Sequence, residues 1–318
     1  MTIMSEILKN ELKSKYVGCV EFNIPLNTLS RWKVGGIAEI VITPSSKIEL
    51  IEIVKFARVN HIPTVIIGAT SNLLFSDEGV DALIIKIGEN FSDFEVRDNV
   101  IIAQSGLWAP KLSRIAQQNM LTGLEHICGI PGTLGGLVYM NGGSQRKGIG
   151  SSVFYVETVD KYGNLKRYNK ENCGFSYRTS VFQNSDEVIV EVALELEQLN
   201  NKRTIRQEML GILRSRRKKF PQKEPNCGSV FVSNPSMYSD YGPPGKVIED
   251  CGLKGLRRNG AQVSENHANF IVNNGEATAK DILYLINQVR TVVHRETGYL
   301  MNVEVRYVDK NGGVGKLC

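Results

Sequence analysis

Two stretches of this chain have residue types and spacing suited to holding an anionic ligand. The first, Gly68-Ala69-Thr70-Ser71-Asn72-Leu73, directly follows an apolar run at 64–67. A strand that feeds a small-residue turn presents successive backbone N–H groups outward, and such a nest holds phosphate oxygens. Ser71 and Asn72 add side-chain hydrogen-bonding groups, although such a stretch taken alone is more often a plain tight turn. The second, Gly129-Ile130-Pro131-Gly132-Thr133-Leu134-Gly135-Gly136, places four glycines in eight positions, and Asn141-Gly142-Gly143 follows one short helix later. That is more glycine than a connection needs, and it allows backbone to approach a flat or charged ligand closely. Neither stretch is a GxGxxG opening a helix, and GxxxxGK[ST] is absent, which argues against a Rossmann dinucleotide site and a P-loop. What remains is a phosphate-bearing cofactor clasped between two loops of a different fold.

The elements that must position these loops fall into three segments. In the first, periodicity predicts a strand at 37–42, a helix at 47–60 and a strand at 64–67, a β-α-β unit. In the second it predicts paired strands at 94–96 and 100–103 and a helix at 110–118. Longer strands follow at 153–160, 165–168 and 187–196, with a hairpin turn at 162–164, so this sheet is expected to be largely antiparallel. The third opens near 200–203 with a basic helix, 204–219, closed by Pro221. Short strands at 230–232, 262–263 and 270–272, helices at 245–251 and 279–296, and a last strand at 303–308 make it an α+β unit. The tail, 310–318, reads as polar and frayed.

Composition limits the function classes. The chain has 318 residues, 42% hydrophobic and 22% charged, which matches an ordinary globular protein of about two domains. Lys and Arg number 38 against 33 Asp and Glu, a net charge of +5 that suits a polyanionic small molecule as well as a nucleic acid. The basic run Arg214-Ser215-Arg216-Arg217-Lys218-Lys219 lacks the interleaved aromatics of a nucleic-acid surface. No apolar run approaches membrane-spanning length, and residues 1–16 mix apolar residues with Glu and Lys, as in an amphipathic helix of a cytoplasmic protein. Six cysteines lie without CxxC spacing or nearby His pairs, which argues against zinc and against a disulfide framework. Cys227 reads as a small buried packing residue or a reactive thiol; His126 and His267 lack an acid partner at recognisable spacing and read as structural.

The order of motifs along the chain carries a resemblance. Asn27-Thr28, Val34-Gly35-Gly36, the 68–74 loop, Gly123-Leu124-Glu125 leading into the 129–136 loop, and Tyr177-Arg178-Thr179-Ser180-Val181-Phe182 occur in sequence. Gly228-Ser229-Val230-Phe231 with Asn234-Pro235, Gly252-Leu253-Lys254-Gly255, Ala268-Asn269-Phe270-Ile271-Val272-Asn273 and Glu304-Val305-Arg306 complete the series. Over residues 20–308 the chain closely resembles the UDP-N-acetylenolpyruvoylglucosamine reductases, flavoenzymes of cell-wall precursor synthesis. The span between Phe182 and Gly228 matches the family's shorter branch, which lacks a tyrosine-bearing insertion.

The resemblance implies an α+β chain: an N-terminal helix (1–18), a vanillyl-alcohol-oxidase-type FAD domain (19–202, subdomains 19–90 and 91–202), a substrate domain (203–309) and a tail. It implies non-covalent FAD, NADPH as hydride donor, no metal, and a cytoplasmic monomer whose partners are small molecules. Cofactor contacts carry over to Gly68, Ala69, Thr70, Ser71, Asn72, Leu73, Pro131, Thr133, Leu134, Gly136, Gly142, Gly143 and Ile189. Substrate contacts carry over to Tyr177, Lys219, Asn234, Lys254 and His267. The catalytic positions are Arg178 and Glu304, which would hold the enolpyruvyl carboxylate, and Ser229, which would protonate the carbon beside it. Two departures stand out: Ala69 and Thr70 where the family has glycine, and Asn141-Gly142-Gly143-Ser144-Gln145-Arg146 where it has Asn-Ala-Gly-Ala-Tyr-Gly. A same-fold flavoenzyme acting on another substrate, and a flavin- or nucleotide-binding protein without turnover, are the rival readings.

Overall fold

Alternating and continuous apolar residues in the first hundred positions build a four-stranded sheet. In the computed structural model, which describes residues 5–317, its strands run Val20–Pro25, Ile37–Ile42, Val80–Lys86, Thr64–Ile67 across the sheet. The predicted strands at 37–42 and 64–67 and the helix between them, Lys47–Val59, form as expected. They are not neighbours, however: Val80–Lys86 lies between them, parallel to both. Its buried run Ala82-Leu83-Ile84-Ile85 explains the central place, because a strand covered on both faces reads as continuous rather than alternating.

The second sheet is antiparallel throughout, in the order Leu165–Asn169, Val153–Val159, Val188–Glu195, Val100–Gln104, Phe94–Arg97. The helix Ala109–Gln118 covers it with Leu112, Ile115 and Ala116. The helix Lys47–Val59 of the first segment is tied to interior strands of the second sheet by Lys47, whose ammonium meets Glu157 at 2.5 Å and Glu191 at 3.2 Å.

The third segment packs the long helix Ala279–Thr297 over a three-stranded sheet of Arg257–Arg258, Ala261–Val263 and Ile271–Asn273. The capping box Thr278/Asp281 starts that helix, and the Asp77 carboxylate of the first segment accepts from its Ala279 and Lys280 N–H groups at 2.7 and 3.0 Å. Trp32, fully buried in this core, donates its indole N–H to the Ile271 carbonyl at 2.7 Å. First and third segments therefore share one hydrophobic cluster.

Three expectations change. The region 230–232 is only bridged, at Phe231 and Val303, and the strand predicted at 303–308 is confined to Arg306–Val308, because the chain turns at Glu304 from one partner to another. The tail is not frayed over its length: Val314–Lys316 pairs antiparallel with Arg306–Val308, which lies parallel to Leu73–Phe75. The helix Lys202–Lys219 packs against Ala109–Gln118 and the 3-10 turn Glu125–Ile127 of the second segment. Residues 1–4 of the predicted N-terminal helix and Cys318 lie outside the described residues; Glu6–Lys15 is helical. Among the described residues no helix is long and apolar enough to cross a membrane, and no cluster of side chains could hold a metal.

Candidate active site

The two glycine-bearing loops meet. A Cβ on Gly68 would come within 2.4 Å of Thr133 Oγ1, so the first loop lies directly against the second only because residue 68 is glycine. Both open onto one cavity of about 1320 Å³ between the three segments. The N–H groups of Ala69, Thr70, Ser71 and Asn72 donate to no protein acceptor among the described residues, which leaves a row of free donors at the end of the strand Thr64–Ile67.

The loop solves its missing glycines in an unexpected way. Ala69 keeps a negative φ, but Thr70 is left-handed at φ +52°, a conformation costing roughly 1–2 kcal/mol for a residue with a Cβ. Its hydroxyl offsets that cost by donating to the Leu29 carbonyl at 2.9 Å and accepting from the Arg31 N–H at 3.1 Å. Thr70→Val, which keeps the branched shape and removes both bonds, is expected to weaken FAD binding by about tenfold, or about 1.4 kcal/mol. Titration of the apoprotein with FAD, followed by flavin fluorescence, measures this.

In the same cavity Arg178, Ser229 and Glu304 come together from distant parts of the chain. Arg178 stands at the tip of a tight turn closed by reciprocal hydrogen bonds of 3.1 Å between Ser176 and Thr179, and it too is left-handed, at φ +56°. Its Nε lies 2.7 Å from Glu304 Oε1, although the N–H points off that line, and its Nη2 reaches the Gly143 carbonyl at 3.4 Å. This is a charge contact that leaves much of the guanidinium fork open. Ser229 and Glu304 are brought alongside by Glu304 N–H donating to the Val230 carbonyl at 2.8 Å. Burial pushes the Glu304 carboxyl above the ordinary range, and the charges of Arg178 and Arg306 oppose this only in part.

The cofactor positions Gly68, Ala69, Thr70, Ser71, Asn72, Leu73, Pro131, Thr133, Gly136, Gly142, Gly143 and Ile189 all line the cavity. Leu134 does not: it is fully buried as the first residue of the helix Leu134–Met140. The five substrate positions also lie off the lining. Tyr177 is exposed under the Arg178 guanidinium, and Lys219 is exposed beside Phe220, which does line the cavity. Asn234 caps the helix Pro235–Asp240, Lys254 pairs with Glu249 at 2.8 Å, and His267 packs against Phe220 and Phe270. Cys227 is a packing residue. Its thiol is buried, points at the Thr70 and Leu73 carbonyls, and is pushed up to about 12 by desolvation.

Sequence reading missed Arg216 and Arg306. Each lines the cavity with a buried Nε that has no hydrogen-bond partner among the described residues. Arg216 lies over the Phe220 ring, and a Cβ on Gly129 would come within 2.6 Å of its side chain. A signal existed: Arg216 falls four residues after buried Ile212 on the same helix, hence on its inward face. Free N–H groups, two incompletely paired arginines and a cavity of about 1320 Å³ fit a flavin dinucleotide, whose phosphates are anionic and whose ring is flat.

Comparison with known proteins agrees with this geometry. Two family profiles match: FAD binding domain over residues 38–169, and UDP-N-acetylenolpyruvoylglucosamine reductase, C-terminal domain, over residues 220–308. The chain is 45% identical to UDP-N-acetylenolpyruvoylglucosamine reductase 1 of Corynebacterium glutamicum, across 97% of this chain and 92% of that protein. It is 34% identical to the Staphylococcus aureus reductase, across 92% and 93% of the two. Among solved structures, the reductase of Thermus caldophilus superposes with a TM-score of 0.76 at 30% identity, covering 89% of this chain and 97% of that one. The fold class is α+β, an FAD-binding fold with a C-terminal α+β part.

Proposed function

The chain belongs to the UDP-N-acetylenolpyruvoylglucosamine reductase family, and from that premise we infer that it reduces the enolpyruvyl ether of UDP-N-acetylglucosamine-enolpyruvate to UDP-N-acetylmuramate, with FAD as cofactor and NADPH as hydride donor. It is a flavoprotein oxidoreductase of peptidoglycan precursor synthesis acting on small molecules. We place it in the cytoplasm as a monomer, with a cofactor unit over 19–202 and a substrate unit over 203–309. The observation that carries the reading is the contact of Arg178 Nε with Glu304 Oε1 at 2.7 Å, facing the same cavity as Ser229 and the two loops.

Bound FAD supplies the hydride relay from NADPH to the terminal vinyl carbon of the substrate. The 68–73 and 129–136 loops are the proposed cradle for its phosphates, with Gly142, Gly143 and Ile189 against the rest. Arg178 meets the substrate carboxylate with its open donors and stabilises the negative charge that builds there as the double bond is reduced. Glu304, held toward its acid form by burial, donates a hydrogen bond to the same group. Ser229 hands its hydroxyl proton to the carbon bearing the ether oxygen, and a carbanionic centre is basic enough to take it. Tyr177 and Lys219 are the proposed contacts for the UDP-sugar beyond the cavity mouth.

The test is turnover. Purified protein is expected to be yellow, to release all its flavin on acid precipitation because the bond is non-covalent, and to oxidise NADPH beyond one equivalent of its flavin only when the enolpyruvyl substrate is supplied anaerobically. Yellow protein that NADPH reduces but the substrate leaves reduced would indicate a same-fold enzyme of another substrate. Protein that binds no FAD would overturn the reading entirely.

A further inference from the structure

Between Arg178 and Arg306 stands a residue that the mechanism above does not use. Gln183 Nε2 donates to the Arg178 carbonyl at 2.9 Å and to the Tyr139 carbonyl at 2.9 Å, while its Oε1 accepts from Arg306 Nη2 at 2.5 Å. The amide is therefore fully engaged, and only one orientation works. A guanidinium offers donors alone and a carbonyl acceptors alone, so a flipped amide would face donor to donor and acceptor to acceptor. The same logic restricts the residue type. A carboxylate could accept from Arg306 but would repel both carbonyls, and an ammonium could donate to the carbonyls but would repel Arg306.

These three bonds tie together elements far apart in sequence. Tyr139 is near the end of the helix Leu134–Met140, which begins in the glycine-rich loop; Arg306 opens the strand Arg306–Val308 two residues after Glu304. Arg178 occupies the third place of a four-residue turn at φ +56°, where glycine or asparagine is the ordinary occupant. Its carbonyl orientation, and with it the aim of its side chain, is fixed by the Gln183 amide rather than by its own conformational preference.

We propose that Gln183 is a positioning residue that holds the Arg178 backbone in its left-handed conformation and ties it to Arg306, so that Arg178 is aimed at the substrate carboxylate before it arrives. The inference rests on the function proposed above. It is specific to the second half-reaction, since NADPH oxidation makes no use of a carboxylate clamp.

The experiment is a double-mutant cycle on the FAD-loaded enzyme, read by stopped flow as two separate half-reactions. Gln183→Met keeps length and removes every hydrogen bond. In the wild-type background it is expected to slow flavin reoxidation by UDP-N-acetylglucosamine-enolpyruvate by about tenfold to 10²-fold, as small misplacements of a reacting group do. Flavin reduction by NADPH should stay within about twofold. In the Arg178→Ala background the same change is expected to cost less than about twofold, because the residue it positions is gone. Equal slowing in both backgrounds, or no slowing in the wild type, overturns the inference about Gln183. If Arg178→Ala itself leaves reoxidation unchanged, it is the reading of the site that fails instead. Should Gln183→Met lose its flavin, Gln183→Glu, which keeps an acceptor for Arg306 and loses both donors, replaces it in the cycle: slowing confined to the wild-type background supports the positioning role, and equal or absent slowing overturns it.

Discussion

Replacing Ser229 with Ala is expected to leave reduction of the bound flavin by NADPH at a near-native rate while slowing reoxidation by the enolpyruvyl substrate roughly 10²–10⁴-fold, the loss typical of removing a general acid. The asymmetry follows from where the groups stand. Ser229 sits on the 228–232 segment, held beside Glu304 by the bond between the Glu304 N–H and the Val230 carbonyl, whereas the phosphate-facing donors are backbone N–H groups of the 68–73 loop, which the substitution leaves in place. Removing one hydroxyl therefore touches the proton and not the cofactor. Stopped-flow measurement of the two half-reactions separates them. Reoxidation at the wild-type rate would remove Ser229 from the role, and with Cys227 buried and held at about 12 an ordered water would be the next donor to consider.

Arg178→Ala carries the second large effect: a loss of about 10²–10³-fold in reoxidation, comparable to deleting a donor that stabilises developing charge, together with weaker substrate binding. The weaker binding distinguishes it from Ser229→Ala, which should leave affinity nearly intact. It has a pH signature as well. Glu304 serves as a hydrogen-bond donor in its acid form, and burial raises its pKa, so the wild-type half-reaction should fall as pH rises through that raised value. The Arg178 charge opposes the rise. Removing it should move the falling limb to higher pH, even as the maximal rate drops. A limb that moved to lower pH, or did not move, would show that Glu304 is not the group titrating.

Much of the fold and the site is legible in the sequence because the signals are local. The loops at 68–73 and 129–136 declare themselves through small residues after a strand, and the antiparallel second sheet through the period of its strands. The β-α-β unit reads with its strands and helix correct, yet the strand between them, Val80–Lys86, escapes notice because a fully buried strand has no alternation to detect. Arg216 and Arg306 are missed for another reason. A basic run on a helix end looks like a solvated surface, and only the helix phase from Ile212 together with the bare backbone of Gly129 turns one of its members inward. The choice of Lys219 instead follows motif position, which carries no information about depth. Thr70 shows the converse: a departure from glycine that looks costly in sequence is stabilised by bonds to Leu29 and Arg31, and no local pattern could show them.

The pairing of Arg306–Val308 with Leu73–Phe75 bears on how the site comes into being. Asn72 and Glu304, linked by the Asn72 amide to the Glu304 carbonyl, are 232 positions apart. A nascent chain thus exposes the loop and its adjoining strand edge long before the segment that completes them has been synthesised. Closing so wide a loop is slow compared with forming the local hairpins of the second sheet. The cofactor cradle can take shape during translation, but the carboxylate clamp is a late product of folding, and until it docks the edge at Leu73–Phe75 stands open to the wrong partner. Ligand occupancy of the early-formed cradle would favour the completed arrangement by mass action, which makes flavin supply a determinant of the yield of folded protein as well as of its colour.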